Sequence, residues 1–484
     1  MLILDTTLRD GEQTPGVSLT LEKRMAIARK LDEIGVDIIE LGSACASVGE
    51  KQAMKAIVKE GLRADTSSFA RAMKKDIDDA LGTDVNTLSL VVPTSDLHIE
   101  KKLKKTKQEV VALTGELVTY AKAHGLKVEV LAEDGSRTEF NSLVEIFSAG
   151  IAAKADRVCV CDTVGVWNPE ITFGIYKLLV EKLKVPVAFH GHNDLGLGVA
   201  NSLAAFRGGA SELHVTVNGL GERAGNCPLE ELALDLKYFY DVRTVELKKL
   251  SELSKVVETL TGLTLHANKP LVGDNAFAHE SGIHVDGVLK HASTYEPITP
   301  EMVGQKRRFS FGKHSGRAGV KAKVEQMGVR FSDTQLERAI AKVKELGDKG
   351  KEVTDADLHA IVYDILGEQH EAKVKLEEFT AFTGNRVTPT ASVKLKINGE
   401  VKVVAGIGDG PVDAAISAIE KALGGTNVKL TEYKVDAITG GANALVHVKV
   451  KMKKGDREVS ASAAETDIVM ASVEAVLRGI NLLI

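Results

Sequence analysis

VAFHGHND, Val187 to Asp194, begins as a β-type run and ends in two histidines spaced two residues apart. Alternation along a strand sends His190 and His192 to the same side. Near the start of the chain, the apolar run Leu2 to Asp5 leads into a second polar cluster, DTTLRDGEQTPG (Asp5 to Gly16). Each stretch is a strand whose C-terminal end carries chemistry, and one metal site is the reading that joins them. The plain alternative is a set of satisfied polar residues closing the mouth of a barrel.

Outward from these two stretches, short β-branched runs alternate with amphipathic segments from residue 2 to about 240, the rhythm of a parallel sheet. The pattern predicts strands at Leu2–Asp5, Asp37–Leu41, Ala64–Ser67, Thr87–Val92, Lys127–Leu131, Arg157–Cys161, Val187–His190 and Glu212–Val217. Helices such as Leu21–Ile34, Gln108–His124 and Pro169–Leu183 lie between them and end at Gly or Pro stops. Eight such pairs in about 250 residues match an α/β fold of the (β/α)8 barrel type, because a doubly wound sheet more often stops at five or six strands. The polar residues agree. Asp10 follows strand one, Glu133 and Asp134 strand five, and Thr163 strand six; His190 and His192 end strand seven, and Asn218, Glu222, Arg223 and Asn226 follow strand eight. All fall on the C-terminal rim, where barrel enzymes assemble their sites.

The predicted domains are a barrel at 1–240, helical subdomains at 241–370 that contribute to the active site, and a C-terminal α+β domain at 371–484. The middle region is rich in Lys, Glu and Leu, interrupted by GDNAFAHESGIHVDG (Gly273 to Gly287) and FGKHSGR (Phe311 to Arg317). After a charged stretch, Glu368 to Glu378, the chain turns strand-like, with an Asn398-Gly399 hairpin turn. The order strands, helix (Pro411 to Leu423), strands, helix (Asp467 to Ile480) points to two copies of one small α+β unit.

Bulk properties bound the partners. The 484 residues carry 62 Lys+Arg against 67 Asp+Glu, a formal net charge of -5, so nothing proposes nucleic acid or membrane and the expected substrate is small. Cys45, Cys159, Cys161 and Cys227 are few for the length, and Cys159 and Cys161 alternate on one strand, where a disulfide between them is disfavoured. A reducing cytoplasm fits. No apolar run reaches the roughly 18 residues that span a bilayer, and the first strand begins at Leu2, so no leader is expected.

One carboxylate and two imidazoles on one rim provide a 2-His-1-carboxylate set with open positions. Asp10, His190 and His192 are the predicted ligands, with Asn226 a fourth, weaker oxygen. Oxygen ligation suits Mg²⁺ or Mn²⁺, and the imidazoles keep Zn²⁺ open. Arg9, beside the predicted ligand, suits an oxygen that gains negative charge; its structural alternative is an ion pair with Glu133 or Glu222. Thr163 offers a hydroxyl and an N–H to a substrate carboxylate, although the Asp162-Thr163 pair equally fits a helix cap before Trp167 and Pro169. His284 and Tyr295 are candidates for proton transfer. GIGDGP (Gly406 to Pro411) lacks the Lys-Ser/Thr of a phosphate loop and reads as a turn from strand to helix.

LRDGEQTPG, HGHNDLG, VNGLGERAGN and GIHVDG together resemble the acyl-CoA-condensing barrel enzymes of the 2-isopropylmalate, citramalate and homocitrate synthase family, essentially from end to end. The resemblance implies a metal-dependent Claisen condensation of acetyl-CoA with a 2-oxo acid, then thioester hydrolysis, in branched-chain (isoleucine or leucine) amino-acid biosynthesis. It implies that Asp10, His190 and His192 bind metal with Asn226 in or next to the shell, that Arg9 stabilises charge on the former ketone oxygen, and that Thr163 holds the substrate carboxylate. Glu133, His284 and Tyr295 would handle protons. The C-terminal region resembles the family's regulatory domain, implying a homodimer whose paired units bind an end-product amino acid.

Two positions bear on the substrate. Ser89 stands where isopropylmalate synthases commonly carry His, and Leu131 where they commonly carry Ser. A Leu projecting into the mouth removes volume and polarity, which favours the methyl of pyruvate over the isopropyl of 2-oxoisovalerate. VVPTSD and CVCDTVG also look like archaeal-type citramalate synthases, so pyruvate is the expected partner and 2-oxoisovalerate the alternative. Homocitrate synthesis ranks behind both, as does an aldolase or acyl-CoA lyase: aldolase relatives usually carry His where Gln13 stands, and lyases generally lack the helical region and third domain. An amino-acid sensor with a silent barrel would have no need to keep ligands, arginine and acid/base groups together.

Overall fold

A computed structural model describes all residues except 350–352, 367–371, 426 and 438–445. The first four residues of the charged stretch Glu368 to Glu378 thus lie outside the described residues. Eight parallel strands close into a barrel: β1 (Leu2–Asp5), β2 (Ile38–Glu40), β3 (Asp65–Arg71), β4 (Thr87–Pro93), β5 (Lys127–Glu133), β6 (Arg157–Asp162), β7 (Val187–Gly191) and β8 (Glu212–Val215). β8 pairs with β1 in the register Glu212 to Leu2 through Val215 to Asp5, which seals the cylinder.

The strand sequences explain the two layers. On β4, Leu88, Leu90 and Val92 join the large core under the helices, while Thr87, Ser89 and Val91 alternate to the barrel interior. β7 follows the same rule: Val187 and Phe189 face the helices, and Ala188 and His190 face inward. Phe189 meets Tyr176 edge to face at 5.6 Å, and the Tyr176 hydroxyl donates to the Ala188 carbonyl at 2.6 Å. Such aromatic pairs are worth about 0.5–1.5 kcal/mol beyond their burial, so the strand that ends in His190 is anchored from outside.

Helix ends follow their local chemistry. Leu21–Ile34 starts at Thr20, whose hydroxyl accepts from Lys23 N–H, and stops at Gly35 with φ 91°. Lys107–Ala123 opens with a capping box between Thr106 and Glu109. Pro169–Leu183 is capped by Asn168, whose side chain accepts from Ile171 N–H. Thr163 is therefore not a helix cap; Asp162 instead accepts the N–H groups of Val166 and Trp167.

The chain forms two compact units. The first holds Met1–Phe277 and Ile298–Arg307. It runs past residue 240 because Val245, Leu250, Leu253, Val257 and Phe277 join the barrel's apolar core. The second holds Ala278–Pro297 and Arg308–Ile484. Within it, two three-stranded antiparallel sheets, Val374–Phe382 with Thr390–Ile397 and Glu400–Ile407, and Lys429–Ala437 with Val446–Lys454 and Arg457–Glu465, are each followed by one helix, Pro411–Ala422 and Ile468–Leu483. Asn398 and Gly399 turn the first hairpin with φ 50° and 94°. Among the described residues no helix is long and apolar enough to cross a membrane.

Candidate active site

Asp10, His190 and His192 converge at the rim of the barrel. Asp10 Oδ2 lies 3.6 Å from His190 Nε2 and 3.9 Å from His192 Nε2, and the two Nε2 atoms are 3.3 Å apart. A triangle with those sides has a circumscribed radius of about 2.1 Å, the ordinary length of a bond from a divalent ion to N or O ligands. The donor set therefore fits a divalent metal. Asn226 joins it through the loop after β8: His192 and Asn226 form an antiparallel bridge, and Cys227 N–H donates to Gly191 O at 3.2 Å. Asn226 Nδ2 donates to Asp10 Oδ1 at 2.9 Å, and its buried Oδ1 has no hydrogen-bond partner among the described residues, which leaves that oxygen for a cation. Gly221 makes room. A Cβ there would stand 2.2 Å from Asn226 Nδ2 and 2.8 Å from Asp10 Oδ1.

The electrostatics suit ligation. Burial pushes Asp10 up, but the charge of the adjacent Arg9, with the hydrogen bond from Asn226, holds the carboxyl well below the usual range. Burial also holds His190 and His192 below the ordinary imidazole value, so both stay neutral with lone pairs available.

Arg9 pairs with Asp10 (Nη1 to Oδ2, 2.5 Å) and with Glu40 (Nε to Oε2, 2.6 Å), not with Glu133 or Glu222. Its guanidinium lies 4.6 Å from the centroid of the Phe69 ring. Burial disfavours the charge, yet Glu40 and Asp10 raise its pKa further still, so a fixed cation stands beside the donor triangle. Glu40 was missed in the sequence reading, although a carboxylate closing the apolar run Ile38–Glu40 was a signal of the same kind as His190 on β7.

Glu133, half-buried, takes Lys102 Nζ on Oε1 at 2.5 Å; His98 Nδ1 lies 3.6 Å from its Oε2, which accepts no hydrogen bond among the described residues. Thr163 Oγ1 accepts from Asp134 N–H at 2.8 Å and keeps its own proton to donate, while its carbonyl accepts from Arg223. Leu131 stands in register with Val91 and Cys159 and packs with Cys161, Ala188 and Phe69 into an apolar wall. Cys161 is in register with His190, and Phe69 lies against Arg9, so this wall borders the donor triangle. Ser89, one inward position below Val91, meets Ser67 Oγ at 2.9 Å. His284 and Tyr295 lie in the second compact unit, exposed, with ring centroids 4.3 Å apart.

The fold and site define the class as a barrel enzyme with a candidate divalent-metal centre on its C-terminal rim. Residues 1–257 match the HMGL-like family, 271–351 a domain described as homocitrate synthase post-HMGL domain-like, and 352–484 the LeuA allosteric (dimerisation) domain. The chain belongs to the HMGL-like family and, with its relatives named citramalate and 2-isopropylmalate synthase, is an enzyme of their acyltransferase type. It is 52% identical over 487 residues to the (R)-citramalate synthase CimA of Methanocaldococcus jannaschii, covering 100% of this chain and 99% of the relative. To the 2-isopropylmalate synthase of the same organism it is 49% identical over 486 residues, covering 99% and 94%. Among solved structures, the HMG-CoA lyase of Bacillus subtilis matches with a TM-score of 0.50 at 20% identity over 55% of this chain and 94% of that one, a likeness of fold alone.

Proposed function

We propose that this enzyme condenses acetyl-CoA with pyruvate to form citramalate and free CoA. The observation that carries the choice of pyruvate is the apolar wall of Phe69, Val91, Leu131 and Cys161 beside the donor triangle; bulk at Leu131 in that wall is expected to favour a methyl over an isopropyl group. Asp10, His190, His192 and Asn226 would hold Mg²⁺, Mn²⁺ or Zn²⁺, which when bound supplies a Lewis acid for a chelating 2-oxo acid. Arg9, fixed by Glu40, presents its charge to the ketone oxygen as that oxygen becomes an alkoxide. The Thr163 hydroxyl donates to the substrate carboxylate.

A base removes a proton from the acetyl methyl group, the new carbanion attacks the ketone carbon, and the alkoxide takes up a proton. Water then cleaves the thioester and releases the thiol. Glu133, whose Oε2 accepts no hydrogen bond among the described residues, is assigned to these proton transfers, and His284 and Tyr295 take the same role from the resemblance to the synthase family alone. The domain at 352–484 supports a homodimer with an end-product amino acid as effector, and the four free cysteines suit a reducing cytoplasm.

Isopropylmalate synthesis is the second reading, favoured by the 49% identical relative of that name. Thiol release from acetyl-CoA with Mg²⁺ or Mn²⁺ separates the readings when pyruvate, 2-oxoisovalerate and 2-oxoglutarate are compared. Pyruvate is expected to show the highest kcat/KM. A much higher value for 2-oxoisovalerate would keep the reaction and overturn the substrate.

A further inference from the structure

Below the donor triangle, the barrel interior is ionic where branched aliphatic side chains usually fill it. Glu129 on β5, Arg157 on β6, and Glu212 and His214 on β8 are all buried. His214 Nε2 lies 3.3 Å from Glu129 Oε1 and 3.2 Å from Glu212 Oε1, and Arg157 Nε lies 3.0 Å from Glu212 Oε2 and 3.8 Å from Glu129 Oε2. Burying ions costs more than packing apolar groups in their place, so this arrangement is not explained by stability alone.

Its upward contact supplies a reason. The His214 ring meets the His190 ring edge to face at 5.5 Å, and His190 meets His192 at 5.0 Å, so three imidazoles climb from the ionic layer to the rim. A metal-binding histidine normally donates its second ring N–H to a carboxylate or carbonyl, which fixes its orientation. Here, among the described residues, His192 Nδ1 has no hydrogen-bond partner and the ring of His190 hydrogen-bonds only to His192 Nε2. The tilt of His190 is thus left to packing, and His214 is the ring packed against it from below.

We propose that His214 is a positioning residue for His190: Glu129 and Glu212 grip its Nε2 from two strands, and its ring sets the plane in which His190 presents Nε2. The inference rests on Asp10, His190 and His192 being a metal centre. His214→Gln tests the ring alone, because the Gln amide reaches about as far as Nε2 and keeps a donor between the two carboxylates.

The measurement is Co²⁺ titration of the full-length, metal-stripped protein, following the visible absorption of the bound ion. Wild type is expected to bind one equivalent, and His214→Gln to bind about 10–100-fold more weakly with a shifted absorption band. Glu212→Gln keeps the ring but loosens its grip, and is expected to bind several-fold more weakly. His214→Gln with wild-type affinity and spectrum overturns the inference. If His214→Gln shows no cooperative melt, Glu212→Gln decides: weakened binding supports the proposal and unchanged binding overturns it. Two equivalents in wild type and one in His214→Gln would also overturn it, since Glu129, Cys159 and His214 lie close enough to hold an ion themselves. No binding by wild type would instead defeat the metal reading of the rim.

Discussion

Leu131→Ala should convert the proposed selectivity. The substitution removes three carbons from a fully buried side chain in the wall formed with Val91, Cys159, Cys161, Ala188 and Phe69. 2-Oxoisovalerate carries two more carbons than pyruvate beyond the ketone, so the vacated space holds the difference. At about 0.8 kcal/mol per buried methylene, two carbons are worth about 1.6 kcal/mol. That is about a 15-fold shift in the ratio of specificity constants toward 2-oxoisovalerate. Relief of overlap between the isopropyl group and Leu131 would add to it. The same cavity should cost about 2–5 kcal/mol of stability, so Leu131→Val, with a single carbon removed, serves as the milder partner. Steady-state thiol release with each 2-oxo acid at saturating acetyl-CoA measures the ratio. An unchanged ratio in a folded Leu131→Ala enzyme would refute the claim that Leu131 bounds the substrate pocket.

Three further outcomes are expected. Asp10→Asn removes the one anion of the donor triangle, and calorimetric titration should show Mn²⁺ affinity lowered by more than the about 10–100-fold typical of changes outside the ligand set. Glu40→Gln leaves buried Arg9 paired with Asp10 alone; kcat should fall with little change in the KM for pyruvate, and the melting temperature should drop, since breaking a buried ion pair costs about 3–5 kcal/mol. An unchanged kcat would remove Glu40 from the account. Burial pushes Glu230 up from 4.5 to about 7, while Lys269 and the Asn218 N–H pull the other way. The folded protein therefore keeps a proton that the unfolded chain releases, and the stability this group contributes is full below about 4.5 and lost as pH rises through about 7. Glu230→Gln cannot ionise, so denaturant unfolding should find it more stable than wild type at pH 8, by at most about 3 kcal/mol, with the difference gone near pH 4. Equal differences at both pH values would contradict this sign.

The sequence was most legible where one residue's period decided its fate. Leu88, Leu90 and Val92 against Thr87, Ser89 and Val91 show why all eight strands could be read: in a barrel, alternation separates the helix-facing core from the interior. His190 on β7 and His192, one residue past its end, were legible for the same reason, being two apart in extended chain. Partners set by closure of the barrel were not. Arg9 meets Glu40 because β1 and β2 are neighbours in register, with Asp5 beside Ile39; from sequence, Glu133 and Glu222 were equal candidates for that ion pair. Glu129, Arg157, Glu212 and His214 were hidden because charged residues inside strands resemble edge positions until the barrel closes around them. Leu250–Thr261 reads as an ordinary amphipathic helix, and only packing shows that its apolar face joins the barrel core.

The proposed reaction joins pyruvate to acetyl-CoA and depends on a bound metal. The most direct measurement is NMR of the products formed from methyl-¹³C pyruvate and acetyl-CoA, with thiol release followed in parallel, before and after metal removal. Citramalate is expected in equal amount to free thiol, lost with chelator and restored with Mn²⁺ or Mg²⁺. Thiol release without pyruvate, or citramalate formation that survives complete removal of metal, would contradict the proposed reaction.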